Sequence, residues 1–88
     1  MKYIMFKREM KSVNHYAPIL FPETLIHSDV AKAMIDGPLK GYKVHSAGFL
    51  SSVETPSSVY GGSETLGVQH DSKDTHRINM SDYGGCFE

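Results

Sequence analysis

The sequence predicts a small α+β domain: a mainly antiparallel sheet with two short helices, in the order β-β-α-β-β-α. Three observations carry this. Two extended stretches near the start are separated by only a short turn. A single apolar stripe at helical spacing is closed by Asp36-Gly37-Pro38. The 88 residues leave room for one modest core, since a chain of this size buries roughly 60–65% of its unfolded surface.

Residues 2–9 read as the first strand, with Tyr3 and Met5 on one face and Ile4 and Phe6 on the other, so both faces are expected to be covered. Met10-Lys11-Ser12 supplies a turn, and residues 13–21 form a second strand completing a hairpin. Pro18 has no N–H to give a ladder, which places this strand at an edge or on a bulge. A helix is predicted over 29–35. Ser28 is its expected cap, Asp29 sits in the first turn where the helix dipole favours an acid, and Val30, Ala31, Met34 and Ile35 form the buried stripe. Gly37 and Pro38 stop it. Residues 42–53 read as a third strand, 54–58 as a loop, and 59–68 as a fourth extended segment broken by Gly61, Gly62 and Gly67. Asp71 or Ser72 opens a second helix over 73–80, and 81–88 read as a loose tail. The helices are expected on one face of the sheet or at its ends, and residues 1–88 as one domain.

Charge and cysteine usage narrow the function classes. Nine basic and ten acidic residues give a net charge of −1, which points away from a nucleic-acid binder working through phosphate contacts. Six of the basic residues cluster, Lys2, Lys7, Arg8 and Lys11 near the start and Lys40 with Lys43 later, and read as solvated strand and turn surface. A single cysteine, Cys86, allows no internal disulfide and fits a reducing cytoplasm. No stretch approaches the ~20 apolar residues of a membrane span, and the start carries no secretory signal pattern. Self-association is expected as a way to bury more surface.

The second half is polar on both strand faces, and the candidate site is placed there. Ser46, Gly48 and Ser51 on the third strand, and Tyr60, Ser63, Glu64 and Thr65 on the fourth segment, would line a patch of hydroxyls and backbone N–H groups; Ser72 and Arg77 lie near it. Such a patch suits an anionic or sugar-bearing small ligand, or a hydrogen-bonding protein surface. Gly61-Gly62-Ser63 could form a backbone nest for phosphate, although it matches no longer glycine fingerprint. His45-Ser46 is no nucleophile pair on a regular strand, because neighbours point to opposite faces. His70, Asp71, Asp74 and His76 match no zinc spacing and read as exposed helix-start residues. No catalytic residue, metal ligand or cofactor is assigned. Hydrolysis by His45 or His70 with Glu64, or a structural interaction module, stand as alternatives.

Three blocks carry a resemblance: Ile19-Leu20-Phe21-Pro22-Glu23-Thr24-Leu25-Ile26-His27-Ser28-Asp29-Val30-Ala31, then Val44-His45-Ser46-Ala47-Gly48-Phe49, then Ser63-Glu64-Thr65-Leu66-Gly67. In this order, over 19–77, they resemble a group of short proteins encoded by tailed bacteriophages. The glycine-rich carboxyl tail is not part of it, and no activity comes with it. What the resemblance implies is context: a binding protein of the host cytoplasm that antagonises a defence, either by withdrawing a nucleotide-like signal or by blocking an immune protein. For a nucleotide, the hydroxyls and N–H groups would take phosphate, Arg77 would add charge, and Tyr60 would stack on a base.

Overall fold

The computed structural model describes residues 1–51 and 58–79. It contains β1 (Lys2–Met10), β2 (Val13–Phe21), α1 (His27–Ile35), β3 (Lys43–Leu50), β4 (Val59–Tyr60), β5 (Gly62–Ser63), β6 (Val68–Gln69) and α2 (Asp74–Asn79). The end of the expected third strand at 52–53, the expected loop apart from Ser58, the end of the second helix at Met80, and the tail with Cys86 lie outside the described residues. Four strands form an antiparallel sheet in the order β2-β1-β3-β4, and β5 pairs with β6 in a separate hairpin. This is the α+β class expected from the sequence.

β1 is central, and Tyr3, Ile4, Met5 and Phe6 are all fully buried. Strand alternation sends Ile4 and Phe6 to one face, where they pack with Ala17, Ile19, Phe21, Ala47 and, from α1, Val30 and Ala31. Tyr3 and Met5 face the other way and pack with Leu50 and, from α2, Ile78. The two helices therefore cover opposite faces rather than one, which is why the central strand shows no polar side. β2 lies at the sheet's edge, with Pro18 opposite Met5, as its missing N–H requires. Lys11 adopts a left-handed φ of 57° in the two-residue turn between β1 and β2.

Two elements differ from the sequence reading. Helix α1 starts two residues early: Ile26 occupies the cap position with no side-chain cap bond, and Ser28 lies inside the first turn. The gain is burial of His27, which sits edge-on to Phe21 and Phe49 at ring distances of 5.4 and 5.8 Å. The fourth extended segment is three two-residue strands, because Gly61 and Gly67 take φ values of 71° and 67° and turn the chain twice. Among the described residues no helix is long and apolar enough to cross a membrane.

Candidate functional site

The sheet face under α2 carries a polar network, and a bulge in β3 creates it. β1 and β3 pair in step from Lys2↔Phe49 to Met5↔Ser46, then jump to Phe6↔Val44, leaving His45 as the extra residue. Bulges re-aim side chains. Here both His45 and Ser46 reach carboxylates at the start of α2. The expectation that these neighbours point to opposite faces is thus corrected: it holds for a regular strand, and this one is irregular at that step. They do not form a nucleophile pair, since each bonds a different aspartate.

Asp74 is the hub. It is fully buried, so the reading of it as an exposed helix-start residue is wrong. Its Oδ2 accepts from the Tyr3 hydroxyl at 2.7 Å and from the Ser46 hydroxyl, and its Oδ1 accepts from Arg77 Nη1 at 2.8 Å. Burial, followed by the bond to Asp74, pushes the Tyr3 phenol well above its ordinary pKa. Arg77 Nη1 also donates to Asp71 Oδ2 at 3.2 Å, and its guanidinium carbon stands 3.9 Å from the centre of the Tyr16 ring. Burial works against the guanidinium charge, but the bonds to Asp74 and Asp71 outweigh it and hold the pKa above its ordinary value.

Asp71 ties this network to the surface. His45 Nε2 donates to Asp71 Oδ2 at 2.8 Å, and the Lys73 backbone N–H donates to Oδ1 at 3.0 Å. The His45 bond foremost, then the Lys73 N–H and Arg77, hold the Asp71 carboxyl well below the usual carboxylate range. His45, Asp71 and Asp74 bring donor atoms within 4.8 Å of one another. Arg77 already supplies the positive charge between the two carboxylates, so the arrangement is complete as an ion-pair network.

His45 also lines a cavity of about 420 Å³ with Lys7, Arg8, Glu9, Gly41, Lys43 and Val44. β1 runs three residues past its last partner on β3, Lys43, and the cavity forms along that overhang. Lys7 and Lys43 are direct cross-strand partners, a like-charge pairing that disfavours the sheet. Gly41, at φ 95°, brings its backbone beside the Arg8 guanidinium: a Cβ there would lie 3.8 Å from Nε. Among the described residues Glu9 is the one acid on this wall, and it meets Lys7 at 3.6 Å.

The residues expected to bind a ligand are dispersed. Ser46 and Arg77 belong to the network just described. Gly48 is buried beneath the β4–β5 connection, where a Cβ would lie 2.5 Å from the Tyr60 carbonyl oxygen. Tyr60 is half exposed and stacks on Phe49 at 5.6 Å. The Ser63 hydroxyl accepts from the Leu66 N–H at 3.2 Å and lies 3.2 Å from that of Thr65, closing the β5–β6 turn. Ser63 and Glu64 line a second, open concavity of about 480 Å³ with Gly61, Gly62, Gly67 and His70. Ser51 is exposed at the end of β3, its hydroxyl accepting from the Ser58 N–H. Ser72 is exposed in the turn before α2.

Sequence reasoning missed Tyr3, Tyr16, Asp71 and Asp74 as one network, and Lys7, Arg8 and Lys43 as one wall. The available signal was the antiparallel pairing of two basic clusters, each read separately. No protein-family model, curated protein or solved structure matches the chain.

Proposed function

We propose that this chain is a small binding protein for a phosphorylated, nucleotide-like ligand, held in the Lys7–Arg8–Lys43–His45 cavity. In the phage setting this is a factor that antagonises a host defence by withdrawing a signal. The observation that carries the reading is the Lys7–Lys43 pair. Two cations side by side across a ladder repel one another, and with Arg8 on the same wall and Glu9 as the one carboxylate among the described residues that line it, an entering phosphate relieves that repulsion. Many of the hydroxyls first considered for phosphate are spent on internal bonds, so the anion falls to the cations instead.

Equilibrium binding of AMP, inorganic phosphate and adenosine at low salt tests this. AMP and phosphate bind, adenosine does not, and Lys7→Gln with Lys43→Gln weakens AMP by at least about tenfold, as expected when charge-assisted hydrogen bonds worth ~1.5–3 kcal/mol are removed. Folded protein that binds neither phosphate nor AMP at millimolar concentration sinks the proposal. A host immune protein as partner is then the standing alternative.

One observation favours a hydrolytic second reading: His45, which lines the cavity, is oriented by a carboxylate behind it. Its partner is Asp71, whereas the His70 imidazole Nδ1 is spent on the Gly61 carbonyl oxygen at 2.7 Å. Product release from a bound phosphate ester, abolished by His45→Ala, would favour that reading over simple binding.

A further inference from the structure

We infer that the cavity takes a phosphate monoester, and that one proton is taken up on binding, shared between His45 Nδ1 and a phosphate oxygen. This rests on the cavity being the phosphate site. The charge on the wall supports a dianion. Lys7, Arg8 and Lys43 against Glu9 are three cations and one carboxylate, leaving two net positive charges. A monoester above its second ionisation carries two negative charges, and a diester only one.

The proton follows from donor and acceptor arithmetic. His45 Nε2 faces the Asp71 carboxylate, which only accepts, so Nε2 carries the hydrogen. In a neutral imidazole Nδ1 is then a bare lone pair. A fully ionised phosphate also offers only lone pairs. The two repel unless one proton lies between them, and it does not matter which brings it. At about pH 8 an imidazole and a phosphate monoester ordinarily both lack that proton, so it comes from solvent. Near about pH 5.5 both ordinarily carry one, so uptake vanishes or reverses.

The groups around His45 permit this. Asp71, on the turn before α2, accepts from Nε2, while Arg77 and Asp74 on α2 form an ion pair behind it. Tyr16 on β2 meets the ring edge-on at 5.5 Å. Lys7 and Arg8 on β1 and Lys43 on β3 line the cavity beside the ring, where their charge meets the arriving dianion.

Calorimetric titration of AMP in two buffers of different ionisation enthalpy reads protons taken up per ligand bound. About one is expected at about pH 8 and none, or a release, near about pH 5.5. His45→Gln, whose amide has its own N–H and takes up no proton, shows no uptake in the AMP binding that remains. Cyclic AMP, a diester, binds at least about tenfold more weakly than AMP, as one lost ionic contact of ~1.5 kcal/mol implies. AMP binding without uptake at pH 8, uptake that persists in the glutamine variant, or equal affinity for cyclic AMP each overturns the inference and leaves the phosphate site standing. Absence of AMP binding in the unaltered protein overturns both.

Discussion

At Asp74 every neighbour that reaches the carboxylate is a donor: the Tyr3 and Ser46 hydroxyls at one oxygen and the Arg77 guanidinium at the other. Only an acceptor-only group satisfies all of them. Asp74→Asn turns an amide N–H₂ toward a donor and leaves Arg77 without its buried partner. A loss of about 3–5 kcal/mol is expected from breaking such a pair, read as the shift in a denaturant-unfolding midpoint. Asp71 gives an acid-range prediction. Its pKa is depressed in the folded protein, so it adds stability above the ordinary carboxyl pKa of about 4. That stability is lost as pH falls below this value. Asp71→Asn therefore lowers stability at neutral pH, and the gap to the unaltered protein closes as the solution is acidified. His27 acts in a higher window. Burial lowers its pKa against the bond its Nε2–H donates to the Gly48 carbonyl oxygen, so stability holds above about pH 6.5 and falls on acidification through it. His27→Phe flattens thermal midpoints measured between pH 7 and pH 5.

Helix α2 has six residues, too few to persist by itself. Ile78 in the apolar cluster and Asp74 in the polar one hold it against the sheet. This explains why the sequence pattern located the helix but not its importance. Asp74 reads as a first-turn acid, and nothing local says that a tyrosine 71 residues earlier lies above it. The bulge was invisible for the same reason, since a register jump is a property of two strands. Glycines were clearer. Gly48 was placed in the ligand patch; the group that approaches it closely is the chain's own Tyr60 carbonyl. Gly48→Ala is expected to cost about 1–3 kcal/mol by overpacking, measured in the same unfolding experiment.

Across the whole molecule, the hairpin of β1 and β2, the choice of edge or bulge that Pro18 imposes on β2, the apolar stripe of α1 and the double-sided burial of β1 were all legible, because each follows from local period or from a missing N–H. The layering was not. Placing α1 and α2 on opposite faces depends on which side each connection crosses, and no single segment encodes that. The candidate site was half legible for a related reason. Ser46 and Arg77 were chosen for their chemistry and do meet in one network, whereas the cationic wall is assembled by pairing Lys7 with Lys43.

Counting along β3 shows what the bulge means for dissection. Met5↔Ser46 and Phe6↔Val44 already keep the correct faces on either side of His45. Removing His45 altogether closes the ladder into an unbroken alternation and shifts no core side chain to the wrong side. The chain shortened by that one residue should fold with its four-stranded sheet intact, shown by an unchanged circular dichroism spectrum, while Asp71 loses its partner at the cavity wall. In a protein this small, architecture and chemistry seldom separate, and here a single deletion divides them.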